Sequence, residues 1–120
     1  NVVGVFLIRN KKLDTIQLNQ NYPQDSVFYN NFLIISHYDL VRREGGSISL
    51  YNFKSKEVYN YPIECGIEQM TMREENIYIL SENKIYKYKI VEAGINLEKT
   101  IDIDMLTDDS YCSGIFAYAP

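Results

Sequence analysis

Residues 31–36 read Asn31-Phe32-Leu33-Ile34-Ile35-Ser36, and a similar run, Asn76-Ile77-Tyr78-Ile79-Leu80-Ser81, follows 45 residues later. A second pair of similar runs, Ile48-Ser49-Leu50-Tyr51 and Ile85-Tyr86-Lys87-Tyr88, is separated by 37 residues. The two intervals differ because connections of unequal length separate the strands. Strand units that recur over roughly 40–45 residues are typical of the blades of a β-propeller. The sequence therefore predicts an all-β fold in which one order of short strands occurs at least twice.

The strand assignment rests on alternation and on β-branched and aromatic residues, which favour strands. Lysines at every second position of Ile85–Ile90 predict one solvent-facing side, whereas Phe32–Ile35 and Ile77–Leu80 are apolar on both sides, as in strands covered on both faces. Two long connections are expected, at 37–46 and 91–99. The complete strands are predicted at Val2–Ile8, Leu13–Leu18, Ser26–Tyr29, Phe32–Ser36, Ser47–Asn52, Glu57–Pro62, Ile67–Arg73, Ile77–Ser81, Ile85–Ile90 and Lys99–Asp104.

These strands predict a β-propeller segment of about two and a half four-stranded antiparallel blades. The single partial domain, residues 1–120, comprises the outer strands of one blade at 2–18, a blade at 26–62, a blade at 67–104 and the first strand of the next blade at 111–118. Propellers close with roughly four to eight blades, and an open end leaves apolar faces uncovered. The expected partners are therefore other blades of a longer propeller from which this segment derives, or other copies of the chain.

Charge and hydropathy exclude several classes of partner. The formal net charge is −4 and the pI is near 4.9. Nucleic-acid binding depends on Lys and Arg at phosphates, and the longest basic clusters, Lys11-Lys12 and Arg42-Arg43, have two residues each. We therefore expect no nucleic acid. No apolar run approaches the roughly 20 residues of a membrane-spanning helix, and residues 1–8 lack the features of a signal peptide.

The cysteines and the histidine do not have the spacing of a metal site, and we expect no cofactor. Cys65 and Cys112 precede the first strands of successive predicted blades, and the one histidine is His37. A disulfide between the two cysteines requires Cα atoms about 4.4–6.8 Å apart, which neighbouring inner strands reach only where they converge. Two unpaired cysteines are the other interpretation.

The central part of the chain carries a series of short motifs: Ser36-His37-Tyr38, Ser47-Ile48-Ser49-Leu50-Tyr51, Ile67-Glu68-Gln69-Met70, Ile77-Tyr78-Ile79-Leu80 and Ser81-Glu82. Through them, residues 32–89 resemble a group of largely uncharacterised bacterial β-propeller proteins. The resemblance implies a propeller of the kind also found in bacterial sensor and envelope proteins, and hence an extracellular or cell-envelope location. It implies no activity. The chain departs from the group at Gln69, where those proteins have a glycine after the inner-strand glutamate.

Glu68 is the first candidate for ligand binding, because Glu68, Met70 and Met72 share one face of a strand expected to line the central channel. A carboxylate there could bind a cation, orient a ligand amine or act as a general base. A glutamate on the inner strand also resembles that of glutaminyl-cyclotransferase propellers. The alternative is a structural carboxylate, solvated or bonded to a neighbouring strand. Glu82, which follows the next predicted strand, is a second candidate.

Ser36, His37 and Tyr38 are candidates for ligand binding at the start of the predicted 37–46 connection, which would rise from one rim of the propeller. The alternative is a solvated, charged loop. Adjacency of Ser36 and His37 in the sequence is not the geometry of a catalytic triad. We therefore predict no catalytic residue.

Two further groups of residues have structural explanations. Four acidic residues resemble a calcium loop in composition but lack the central glycine and terminal glutamate of an EF-hand, so a charged turn is expected: Asp102, Asp104, Asp108 and Asp109. Six tyrosines fall mostly at strand positions and are expected to pack rather than to form a stacking platform: Tyr51, Tyr59, Tyr61, Tyr78, Tyr86 and Tyr88.

The sequence leaves more than one function open. The first is a non-catalytic propeller segment that binds an unknown ligand or protein, or acts as a scaffold, in a bacterial envelope or secreted protein. The second is part of a propeller enzyme, hydrolase or cyclotransferase-like, with a channel-mouth site around Glu68, His37 and Tyr38. The third is a partial propeller that assembles with copies of itself.

Overall fold

The computed structural model describes residues 3–9, 11–63, 65–92 and 94–103. The described residues form ten β-strands, so the all-β prediction is confirmed, and none of them lies in a helix able to cross a membrane. Each strand overlaps one of the ten complete strands predicted, whereas the eleventh, Tyr111–Tyr118, lies outside the described residues. The strands are β1 (Val3–Arg9), β2 (Lys12–Leu18), β3 (Pro23–Tyr29), β4 (Phe32–Asp39), β5 (Glu44–Asn52), β6 (Val58–Pro62), β7 (Gln69–Arg73), β8 (Asn76–Ser81), β9 (Lys84–Val91) and β10 (Gly94–Asp102).

The strands form three antiparallel sheets, and within each sheet they follow the order of the chain. β1 and β2 form a hairpin, β3 to β6 form a middle sheet, and β7 to β10 form a third sheet. Each strand therefore pairs with the strand next to it in the sequence, and the most widely separated partners in the described ladders are Phe32 and Asn52. The two similar runs at 31–36 and 76–81 overlap the second strands of the two four-stranded sheets, β4 and β8.

The middle sheet is buried on both faces because β4 carries apolar side chains on both. Leu33 and Ile35 pack with Ile16 and Leu18 of the β1–β2 hairpin. On the other face, a cluster joins the middle and third sheets: Ile34, Ile48, Leu50, Ile67, Met70, Ile77, Ile79 and Tyr88. Full burial of such a side chain stabilises the fold by roughly 1.5–3 kcal/mol. The three sheets consequently stack as successive layers.

Turn residues define the ends of the hairpins. Asn30, in the two-residue turn between β3 and β4, has a φ of 51°, as expected for an Asn-Asn turn. Glu82 and Asn83, between β8 and β9, both have positive φ, which is the conformation of a type I′ turn. In the 40–43 turn, the Asp39 carboxylate accepts hydrogen bonds from the N–H groups of Val41 and Arg42 at 3.0 and 3.1 Å.

Both long connections expected from the sequence are wrong. β4 continues to Asp39, because His37 and Asp39 pair with Ser47 and Glu44 of β5, so the connection is only residues 40–43. β10 begins at Gly94, which pairs with Val91, and not near residue 99. Glycines and charged residues on outward faces obscured the strand ends in both places.

Four connections come together at one end of the middle and third sheets, which we call the shared rim. Their described residues are 19–22, 40–43, 63 and 65–68 (the 63–68 connection), and 82–83. Strand direction alternates in an antiparallel sheet, so every second connection lies at the same end. The Tyr38 N–H donates to the Tyr22 carbonyl at 3.1 Å, and the Ile63 N–H donates to the Gly46 carbonyl at 3.0 Å. These two bonds link the start of β3 and the 63–68 connection to the β4–β5 hairpin.

Candidate functional site

Three of the predicted site residues, Tyr38, Glu68 and Glu82, lie close together on the shared rim. The Glu82 N–H donates to the Glu68 carboxylate oxygen Oε1 at 3.2 Å. Glu68 lies one residue before β7, so it is not on the strand expected to carry it. Its N–H donates to the Leu80 carbonyl at 2.9 Å. The Glu68 carboxylate therefore accepts a hydrogen bond from the neighbouring hairpin turn, and Glu82 is exposed beside it.

The Tyr38 ring packs against the 63–68 connection. A Cβ added at Gly66 would lie 2.5 Å from both Cζ and the phenol oxygen of Tyr38, so only glycine leaves room for the ring. Burial raises the pKa of the Tyr38 phenol; the negative charges of Glu68, Glu82 and Asp39 raise it further, and Arg43 opposes them. Tyr38 is therefore a protonated hydroxyl close to two carboxylates at neutral pH.

A groove of about 670 Å³ runs beside this cluster, between the middle and third sheets. Its volume falls in the range of roughly 300–1,000 Å³ typical of small-molecule sites. Most of the described lining residues are aromatic, aliphatic or small, and Glu82 is the one charged residue among them. The lining residues are Tyr61, Pro62, Ile63, Cys65, Gly66, Ser81, Glu82, Tyr86, Tyr88, Ile95 and Leu97.

His37 is buried, with 2% of its surface exposed, and does not lie in a solvated loop as the sequence suggested. Its ring nitrogen Nδ1 lies 3.0 Å from the Asn21 carbonyl oxygen, and Nε2 lies 2.7 Å from Ser49 Oγ. Because a carbonyl only accepts, Nδ1 carries the proton and Nε2 accepts from the Ser49 hydroxyl. Asn60 Nδ2 in turn donates to Ser49 Oγ at 3.1 Å and to Ser47 Oγ at 3.0 Å.

This network is structural, although it contains a serine hydrogen-bonded to a histidine. Ser49 is fully buried, so no substrate carbonyl reaches its hydroxyl. The other ring nitrogen of His37 faces a backbone carbonyl, whereas a catalytic triad places a carboxylate there to stabilise the imidazolium. The network instead ties β4 to β5, β6 and the 19–22 connection.

Acidification should destabilise the fold through His37. Burial lowers the pKa of its imidazole below the usual value of 6.5. The unfolded chain therefore binds a proton more readily than the folded chain, and stability falls as pH drops below about 6.5 until the folded-state pKa is reached. Urea unfolding at pH 7.5, 6.5 and 5.5 should show a progressively lower midpoint.

The matched variant is His37→Gln, which lacks the titrating group. It should unfold at a nearly constant urea midpoint between pH 7.5 and 5.5, whatever its absolute stability. A wild-type midpoint independent of pH over this interval, or an equal slope in the variant, would contradict the assignment.

The other predicted positions do not form part of the rim cluster. Ser36 is buried, with 1% exposed, and its hydroxyl has no hydrogen-bond partner among the described groups. Cys65 is half-buried at the groove, and its predicted disulfide partner Cys112 lies outside the described residues. Lys84 Nζ lies 3.8 Å from Asp102 Oδ1 on the surface. The other aspartates of the calcium-like run also lie outside the described part, which contains no group of three metal-ligating side chains.

Sequence reasoning missed the partners of His37 and the aromatic lining of the groove. Ser47 and Ser49 alternate with Ile48 on β5. Small polar residues on one face of a strand next to a buried strand indicate possible hydrogen-bond partners for His37. The tyrosines at 61, 86 and 88 were assigned to packing, and they pack on the core cluster while also lining the groove. No protein-family model, curated protein or solved structure matches the chain.

Proposed function

We propose that this chain is a segment of a β-propeller that serves non-catalytic binding or scaffolding. The observation that carries the proposal is the stacking of successive four-stranded meanders, whose first strands, β3 and β7, contact each other. Meanders arranged radially around an axis bring their first strands together in this way, and the connections at one end then form a common surface. The shared rim is the binding surface.

The chemistry of the rim supports binding rather than turnover. The one Ser–His pair among the described residues is buried and lacks a carboxylate on Nδ1. Glu68 accepts a backbone hydrogen bond that orders the β8–β9 turn, and Glu82 is exposed at the mouth of the groove. A groove whose described lining contains no serine–histidine pair is suited to holding a ligand.

The radial arrangement is tested by electron-spin distance measurements on labelled cysteine pairs. One pair replaces the exposed residues Gln24 of β3 and Gln69 of β7, and the other replaces Tyr59 of β6 and Lys99 of β10, in a background with both native cysteines changed to serine. Radial sheets require a clearly shorter distance for the first pair than for the second. Equal distances would indicate sheets packed as a flat sandwich and would overturn the propeller assignment.

The absence of catalysis is tested separately with ester, amide and N-terminal glutaminyl substrates. No turnover above the buffer rate is expected for the wild-type chain. The chain would instead be part of a hydrolase or cyclotransferase-like enzyme if the wild type shows turnover and Glu68→Gln does not. The far-ultraviolet circular dichroism spectrum of the variant must be unchanged for this conclusion.

A further inference from the structure

The groove between the middle and third sheets has two walls of different origin. One wall is the end of β6 with Ile63, Cys65 and Gly66 of the following connection, and the other is formed by β9 and β10. Tyr61 belongs to the first wall, and Tyr86 and Tyr88 belong to the second. Tyrosine rings on both sides of a cleft offer flat, polarisable surfaces whose faces carry negative charge.

The formal charge on the described lining of the groove is negative. Glu82 is the one charged residue among the described lining residues, and the Glu68 carboxylate accepts a hydrogen bond from the Glu82 N–H. Lys87 and Lys89 of β9 lie on the opposite face from Tyr86 and Tyr88. Lys84 lies on the same face as these tyrosines, and its Nζ is 3.8 Å from the Asp102 carboxylate. Lys87 Nζ also lies 3.5 Å from the Glu98 carboxylate. The groove thus presents aromatic surface with an anionic end. Arg43, whose charge opposes those of Glu68 and Glu82 at Tyr38, is not among the described lining residues.

We propose that this groove binds a small organic cation, made of an aromatic body and a primary ammonium group. The ammonium lies at the Glu82 carboxylate, and the aromatic body lies between Tyr61 and Tyr86. This assignment rests on the proposed binding function and names the chemical class of its ligand. Charge complementarity favours a cation over an anion of the same shape, and tyrosine faces attract cations in addition.

Other ligand classes fit the groove less well. A divalent metal needs several oxygen ligands, and the described residues contain no group of three side chains that could supply them. An anionic ligand would bring like charges together at Glu82. A neutral aromatic molecule would use the tyrosines and leave the carboxylate without a partner.

The test uses three probes that share one phenol ring: tyramine, which is a cation, p-cresol, which is neutral, and 3-(4-hydroxyphenyl)propionate, which is an anion. Amide chemical shifts of the isotope-labelled chain are followed during titration with each probe. Tyramine should move the amides of residues 61–66 and 81–88 and bind at least about 10-fold more tightly than the propionate, which is about the effect of one charge-assisted hydrogen bond.

Glu82→Gln removes the charge and keeps the size of the side chain and the turn. It should weaken tyramine binding about 3- to 10-fold and leave p-cresol binding unchanged, because an exposed carboxylate contributes modestly. The matched control is Glu74→Gln, an exposed carboxylate at the opposite end of β7, which should bind all three probes as the wild type does.

Equal affinities for tyramine and the propionate, or an unchanged tyramine affinity in Glu82→Gln, would overturn the proposal. So would the absence of tyramine-induced shifts at the groove. Tighter binding of p-cresol than of tyramine would assign the groove to neutral ligands instead. None of these outcomes bears on the spin-label distances or the turnover assays, so failure here is distinguishable from failure of the proposed function.

Discussion

Ile34→Ala should lower the free energy of unfolding by about 2–5 kcal/mol, the range seen for buried isoleucine truncations. Ile34 is fully buried in the cluster that joins the middle and third sheets. The substitution removes three carbon atoms and leaves a cavity. The cavity cannot collapse freely, because the backbone hydrogen bonds of each sheet hold its strands in place. Urea unfolding followed by circular dichroism measures the change.

The matched control is the adjacent residue Leu33, which points to the other face of β4 and packs with Ile16. Leu33→Ala should cost a similar amount, and its coupling to Ile34→Ala should be the weaker of the two couplings measured, because the two side chains point to opposite faces and belong to separate clusters. Ile34→Ala combined with Ile77→Ala should deviate from additivity by about 0.5 kcal/mol or more, because both belong to one cluster. Additivity of that pair would mean that the two sheets do not pack as described.

Gly46→Ala should destabilise the chain by roughly 2–4 kcal/mol, through steric overlap and the weakening of one backbone hydrogen bond. A Cβ at this position would overlap the carbonyl oxygen of Cys65, which belongs to backbone and cannot rotate away as a side chain can. The displacement would also strain the bond from the Ile63 N–H to the Gly46 carbonyl. The contact between the β4–β5 hairpin and the 63–68 connection depends on this glycine.

Gly45→Ala separates this effect from a general intolerance of the hairpin. Gly45 has a φ of 76° and no atom within 4 Å of an added Cβ, so only the left-handed backbone is strained. That strain costs about 1 kcal/mol. Thermal and urea unfolding should rank Gly46→Ala well below Gly45→Ala in stability, and the reverse order would contradict the close approach.

Strand positions could be predicted because alternation and turn residues act locally. Phe32–Ile35 is apolar on both sides, and burial on both faces of β4 followed from that pattern. Strand ends were harder to predict. His37 and Asp39 are residue types that favour loops, but β4 extends to Asp39 because the backbones of both residues continue the ladder with β5. Pairing with a neighbour, which no local pattern reports, decided where the strand stops.

The sequence named candidate site residues but not their proximity. Tyr38, Glu68 and Glu82 were each singled out, and the structure brings them together because antiparallel order places their connections at one rim. The role expected for Glu68 depended on its lying within a strand, whereas it lies one residue before β7 and orders the Glu82 turn. His37 looked exposed because its partners, Ser49 and Asn60, become neighbours only through the register of β5 and β6.

The pairing of every strand with its sequence neighbour has a consequence for synthesis on the ribosome. The four strands of the middle sheet can pair once Pro62 has left the ribosome. Ile34 and Ile48 stay uncovered until Ile77 and Ile79 have also left it. During that interval the middle sheet is complete, but one of its apolar faces is not yet covered by the third sheet. Chaperone demand should therefore peak between the emergence of β6 and that of β8.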